Sequence, residues 1–326
     1  MMTTVWSRRP PAPSEESWSC LERELGIDPA KFLNAAHEAF ARRTADQPAL
    51  RWRGPDGAVA SFDTAALRRC AGKFVGLLRA LGLQRRDVVL ALTDALPETT
   101  WALLGTLAFG ATFGALEPSI GDGRLRAALR RTGARLLLTE PRFKDRIDPM
   151  RPQHPALWHV VTIERFGRAG RMGAGDFLFA DYFEPAPDRF EPIAFRGAEP
   201  ALIEPAGGAL WSHHVAVTAH RIGREWLGGG PVACRLAPGH PFWPVLGVLA
   251  PLCAGAEILT AYAPEAWDPP EANARIGWEG DPLEAPEGWM VPIRRAGRGL
   301  SGVSADGAGP PLYARPMAVR PPVPDF

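Results

Sequence analysis

The sequence has little lysine. Only Lys31, Lys73 and Lys144 stand among 37 basic side chains, so no chemistry that needs an ε-ammonium can use a residue beyond position 144. It also lacks an excess of either charge. With 37 basic and 36 acidic side chains the net charge is +1, which gives no global field for nucleic acid or an anionic membrane; such binding would have to come from a local patch. Cysteine is scarce and scattered: Cys20, Cys70, Cys234 and Cys253 form no C-x-x-C pair, which points to free, largely buried thiols in a reducing compartment. A membrane-spanning run is missing too. An uncharged stretch of about the minimum spanning length, 99–116, is interrupted by Gly105, Gly110 and Gly114 and by four threonines, as expected of a buried helix followed by a buried strand. Arg8-Arg9 is followed by prolines and acids where a twin-arginine signal needs an apolar core, so 1–16 reads as a flexible leader and the expected location is cytoplasmic. No internal repeat is found.

What is present is an ordinary soluble composition, 46% hydrophobic over 326 residues, with 34 glycines and 34 prolines. Helical spacing over 29–44 is followed by two short runs, 49–53 and 58–62, flanking Gly54-Pro55-Asp56-Gly57, which predicts a hairpin. Asp63 is placed to cap a helix whose apolar face carries Leu67, Cys70, Ala71, Phe74, Leu78 and Leu81, with Gly82 at its stop. Apolar strands at 87–92, 111–116 and 134–139 alternate with helices starting at Pro97 and Arg124. Strands without polar alternation, separated by helices, predict parallel sheets covered on both faces. A looser connection is expected over 141–200, with one strand candidate at 157–163. Beyond it the pattern gives a strand at 201–203, a helix over 209–227, a strand at 232–236, a helix over 242–253 and a strand at 256–261. The tail, 263–326, holds 12 prolines and 8 glycines in 64 residues and is expected to be irregular, with a small β element around 288–293. The fold class is therefore α/β, with stacked, mainly parallel sheets and flanking helices; the expected organisation is 1–16 leader, 17–262 α/β domain and 263–326 tail.

The order of elements carries a resemblance. Trp18-Ser19-Cys20, Ala49-Leu50-Arg51-Trp52, Ser61-Phe62-Asp63, Leu81-Gly82-Leu83, Asp87-Val88-Val89, Pro97-Glu98 and Phe109-Gly110-Ala111 before Glu117-Pro118 resemble, over about 15–140, the N-terminal half of the adenylate-forming enzymes, especially AMP-forming acetyl-CoA and acyl-CoA synthetases. The resemblance resumes at Gly239-His240 and at Pro251-Leu252-Cys253-Ala254-Gly255-Ala256. It implies a large N-terminal domain of stacked sheets, a smaller mobile C-terminal domain, and activation of a carboxylate by ATP to an acyl-adenylate that passes to a thiol.

That chemistry needs a Ser-, Thr- and Gly-rich loop ending in Lys, because N–H groups, hydroxyls and an ammonium must together counter several phosphate charges. At the corresponding place stands Glu204-Pro205-Ala206-Gly207-Gly208-Ala209, without hydroxyl or lysine. Glu204 adds a negative charge and Pro205 removes a donor. At about 4 Å and an effective dielectric near 20, that repulsion is roughly 4 kcal/mol. The family's Tyr-Gly-x-Thr-Glu segment, its Thr-Gly-Asp and its late lysine have no counterpart, Glu279-Gly280-Asp281 being the nearest echo of the second. The resemblance thus reads as a truncated and degenerate relative.

Other chemistry is less well supported. Of His213, His214 and His220, positions 213 and 220 would share one helical face two turns apart, but no third ligand lies nearby and the spacing is not H-E-x-x-H, so no metal is expected. Ser212 has no nucleophile-elbow context, and the Gly228 and Gly173 runs read as loops. Trp267, Trp278 and Trp289 are expected to cover sheet surface. Gly207 and Gly208 mark a vestigial phosphate loop, while Gly239, His240 and Trp243, at a helix start, are the candidate substrate-binding residues, since in the resembled enzymes this region lines the acyl pocket. The expected function is non-catalytic binding, as an accessory or regulatory subunit, with no cofactor. An acyl-CoA synthetase-type enzyme acting on a small carboxylate, with ATP, AMP or CoA, is the first alternative; a membrane-associated module resting on 99–116 and 241–256 is the second. A protein partner or a second copy is expected to cover sheet surface; nucleic acid and membrane are not expected partners.

Overall fold

The computed structural model describes residues 20, 22–27, 33–194, 199–208, 210–227, 229–264, 267, 269–278, 289–296 and 299–302. In chain order the strands are β1 (Pro48–Arg53), β2 (Val59–Asp63), β3 (Val88–Leu92), β4 (Thr112–Leu116), β5 (Leu136–Thr139), β6 (His159–Thr162), β7 (Asp176–Leu178), β8 (Pro200–Ile203), β9 (Leu210–Ser212), β10 (Val232–Cys234), β11 (Ile258–Ala261), β12 (Ala274–Trp278), β13 (Trp289–Ala296) and β14 (Gly299–Gly302). The main helices are α1 (Ala35–Phe40), α2 (Thr64–Ala80), α3 (Pro97–Phe109), α4 (Asp122–Thr132), α5 (Pro141–Ile147), α6 (Phe179–Phe183), α7 (Val215–Ile222) and α8 (Ala250–Cys253).

Two seven-stranded sheets result, ordered β14-β13-β12-β10-β11-β1-β2 and β7-β6-β5-β3-β4-β8-β9. Their pairings are parallel except for β1–β2, β13–β14 and β8–β9, which agrees with the α/β expectation. Strand alternation shows why both faces are apolar. In β3, Val89 and Ala91 join the large central core, whereas Leu90 and Leu92 join a second cluster with Leu125, Leu129, Phe143 and Ile147 of α4 and α5. In the other sheet Val232 and Ile258 point to the central core, and Ala233 and Leu259 to a small outer cluster with Ala272 against which Trp267 packs.

Between the sheets lies a helical layer in which all thirteen residues of α3 are buried. α2 reaches it closely: a Cβ added at Gly105 would sit 2.7 Å from the carbonyl oxygen of Ala71 and 2.8 Å from Cβ of Phe74. The helix ends follow the sequence. Asp63 Oδ1 accepts from Ala66 N at 2.6 Å, and α3 and α4 stop at Gly110 (φ 86°) and Gly133 (φ 58°) in the left-handed region. The stretches 99–116 and 241–256 are interior layers here, almost entirely buried, and among the described residues no helix is long and apolar enough to cross a membrane. Cys234 and Cys253 are buried free thiols, Cys70 is half-buried and Cys20 is exposed.

The structure corrects five expectations. Residues 209–227 are not one helix: the turn at 205–207 folds β9 back on β8, pairing Leu202 with Trp211 and Pro200 with Ser212, and only then does α7 begin, widening to π pitch over Gly223–Leu227. Residues 242–253 are not one α-helix either, because Trp243–Leu249 has π pitch before α8. The connection 141–200 is more regular than expected, since it carries α5, β6, β7 and α6. Finally, the sheet continues into the tail as β12, β13 and β14, where only a small element was anticipated. Helix 29–44 shortens to α1, with 28–32 outside the described residues, as are Glu279, Gly280 and Asp281.

The regularity of 141–178 depends on ion pairs. Lys144 Nζ, with 2% side-chain exposure, lies 2.7 Å from Asp148 and 2.8 Å from Asp176, which also meets Arg151 at 2.5 Å. Lys144→Ala is expected to lower unfolding free energy by about 3 kcal/mol, since it leaves a buried carboxylate short of one partner. A urea titration checks this, and addition of Asp176→Asn should recover part of the loss.

Candidate functional site

The carboxyl ends of β4 and β8 open toward the segment that follows β10, and a cavity of about 550 Å³ lies between them. Leu116 and Glu117 form one wall, Ile203, Glu204, Pro205 and Ala206 a second, and Pro238–Phe242 with Pro244 a third. α4 contributes Arg124 and Arg131, which are seven residues apart and so share one helical face. The two separated stretches singled out in the sequence therefore meet at one place.

Local geometry explains each residue. Gly208 N donates to Glu204 O at 2.7 Å with φ 75°, closing a tight turn that only glycine fits comfortably. A Cβ at Gly207 would lie 2.5 Å from Glu204 Oε2, so the carboxylate folds over that glycine. The side chain of Arg131 packs on Gly208 and its guanidinium donates to the carbonyls of Ala206 and Pro205, the latter at 3.3 Å. Gly207 and Gly208 make the turn, while Glu204, Pro205 and Ala206 line the cavity.

On the opposite wall a Cβ at Gly239 would collide with backbone N and Cα of Glu117, so glycine is what lets the post-β10 segment touch the end of β4. His240 is buried, its Nδ1 accepts from Phe242 N at 3.1 Å, and its ring stacks on Phe242 with centroids 5.5 Å apart. That hydrogen bond places the proton of the neutral ring on Nε2. Trp243 packs into the core, 6.4 Å from the ring of Phe113, while its neighbour Pro244 lines the cavity. Arg124, Arg131, Glu117 and Trp211 were not singled out from the sequence; for the two arginines the seven-residue spacing on an amphipathic helix was the available signal.

The histidines cross-link elements. His213 is fully buried before α7, where Nδ1 accepts from Ala35 N at 3.0 Å. His220 lies 3.0 Å from Glu38, also contacts Arg42, and His214 lies 3.4 Å from Glu22. They do not share one helical face, and among the described residues no group of three or more His, Cys, Asp or Glu is placed to hold a metal. A separate polar cluster closes the ends of β3, β5 and β11: Glu140 accepts from Asp94 N at 2.7 Å and Arg142 pairs with Asp94. Burial raises the Glu140 carboxyl above its usual range, and burial together with a hydrogen bond to Asp94 raises the Tyr262 hydroxyl.

This layered α/β fold, with its cavity at the carboxyl ends of the parallel strands, is similar to that of acyl-CoA synthetases of known structure. Residues 37–176 match the AMP-binding enzyme family. The chain is 26% identical over 187 residues to the acetyl-coenzyme A synthetase of Salmonella typhi, covering 52% of this chain and 29% of that protein. It is 30% identical over 125 residues to surfactin synthase subunit 1 of Bacillus subtilis strain 168, covering 38% of this chain and 3% of that one. Among solved structures, the acyl-CoA synthetase of Brucella canis superposes with a TM-score of 0.66 at 19% identity, over 75% of this chain and 46% of that chain. The acetoacetyl-CoA synthetase of Streptomyces lividans gives 0.64 at 18%, over 75% and 44%. The chain thus spans under half the length of the relatives it matches.

Gly239→Ala is expected to cost about 2–3 kcal/mol, because the colliding atoms are backbone; a drop in thermal midpoint with loss of ligand binding in the cavity would register it. A pH dependence follows from His213, whose burial holds it down at about 3. A depressed folded-state value gives stability that is complete above the unfolded value near 6.5 and is lost as pH falls toward 3, on the order of 5 kcal/mol in all. Denaturant midpoints measured across that window should fall in the parent, and fall less in His213→Gln.

Proposed function

We propose that the chain binds a small ligand in this cavity and acts through that binding, as an accessory or regulatory member of the adenylate-forming group. The observation that carries the reading is the turn at 204–208. It stands where the resemblance places a phosphate loop, offers neither hydroxyl nor lysine, places a carboxylate on the cavity wall, and occupies Arg131 with its own carbonyls. Arg124 remains as a cation on the wall beside apolar surface from Leu116, Ile203 and Phe242, a combination suited to a compact molecule with one anionic end. A protein partner or second copy covering sheet surface belongs to the same proposal.

The second reading is an enzyme of acyl-CoA synthetase type that activates a small carboxylate. It is favoured by the position of the cavity at the carboxyl ends of the strands and by the family match over 37–176. Under that reading ATP, AMP or CoA would enter here, with phosphate contacts supplied by other groups than the turn.

Calorimetric titration with ATP, AMP, acetyl-CoA and acetate, followed by a pyrophosphate assay, separates the two. The binding reading expects at least one of these ligands to bind without pyrophosphate release, and Arg124→Ala to weaken that binding about tenfold, as loss of one charge-assisted contact should. ATP-dependent pyrophosphate release would overturn it in favour of the enzyme.

A further inference from the structure

Charge is distributed very unevenly along this nearly neutral chain. Residues 121–175 hold twelve basic against five acidic side chains, an excess of seven positive charges where the whole sequence has one. Part of that excess is neutralised by acids outside the segment, Arg135 by Asp87, Arg142 by Asp94, Lys144 and Arg151 by Asp176 and Arg165 by Glu98, while Arg146 pairs with Asp122 inside it. Arg126, Arg130 and Arg171 are exposed and have no ion pair among the described residues. Arg126 and Arg130 are one turn apart on α4, an arrangement that weakens a helix by like-charge repulsion unless something anionic meets it.

These cations gather at the amino-terminal end of β5, β6 and β7. His154 lies near Arg126 and Arg130, and burial together with those guanidinium groups holds it below the usual histidine range. The chain from His154 leads to Trp158, whose carbonyl accepts from Arg151 at 3.2 Å. Gly175 O accepts from Val160 N at 2.9 Å, which brings the end of the 164–175 loop, with Arg171 and Met172, alongside. Two of the four large apolar side chains exposed among the described residues are here, Trp158 at 46% and Met172 at 39%. The guanidinium of Arg135 lies 4.1 Å from the ring of Trp158 and covers one face of it.

We propose that this end of the second sheet is a docking surface for an anionic lipid bilayer, with Arg126, Arg130 and Arg171 meeting headgroups and Trp158 and Met172 entering the interface. Free cations beside an exposed indole and a thioether match an interface that is anionic outside and apolar just beneath. A nucleic acid strand would use the cations but leave Met172 without a role, and one face of Trp158 is already covered against base stacking.

The test is sedimentation of the full chain with extruded vesicles, either phosphatidylcholine alone or an equimolar mixture with phosphatidylglycerol. Partition onto the mixed vesicles is expected, weakening with salt and falling about fivefold for each of R126A, R130A and R171A, close to a hundredfold for the three together. M172S should reduce the binding that survives high salt. The single variants change exposed positions, so they decide the matter even if the triple variant fails to fold. The proposal is overturned by equal binding to phosphatidylcholine alone, by no binding to either vesicle, by arginine variants that bind like the parent, or by displacement from the vesicles by single-stranded oligouridylate.

Discussion

Burial of α3 is the constraint on which the rest of the molecule rests. The helix has no polar face to give to solvent, so both sheets must lie against the layer that contains it, and its neighbours must come close enough to exclude water. Gly105 permits that approach from α2, while Phe74 and Leu103, wholly buried on the two helices, each contribute roughly 1.5–3 kcal/mol by leaving water. With the layer fixed, the carboxyl ends of β4 and β8 come to face the segment after β10, and the cavity follows from that placement.

The cavity differs from a phosphate site in the origin of its charges. A loop that holds phosphates offers its N–H groups outward and adds a lysine from its own end. Here the turn at 204–208 uses the Gly208 N–H internally, and the nearest cation, Arg131, arrives from α4 and is spent on the turn's carbonyls. The cation on the cavity wall therefore comes from a neighbouring helix, where Arg124 lines the space between the walls.

Much of the first half of the fold was legible because its signals are local. Asp63 bonds to an N–H three residues away, and Gly110 and Gly133 end helices by their own left-handed geometry. The order of family-like segments pointed to Gly239 and His240, which line the cavity, and to Gly207 and Gly208, which form the turn beside it. What could not be read depended on distant partners. Leu210 and Trp211 fit a helix as well as a strand until β8 is alongside, and Arg131 gives no sign in sequence that it will meet Pro205 and Ala206. The tail misled for a third reason: its many prolines and glycines argued against sheet strands beyond a small element at 288–293, yet β12, β13 and β14 extend the sheet there, with Pro292 opposite Gly277 at a point beyond the reach of β14.

The hydrogen bond from Ala35 to His213, 178 positions along the chain, also says something about how such a protein must be made. β1 likewise finds its parallel neighbour only when residues 258–261 exist. At a synthesis rate of about 5–20 residues per second, roughly 10–40 s separate the emergence of these first elements from that of their partners. Through that interval the β1–β2 hairpin carries an open strand edge and α1 an unclaimed N–H.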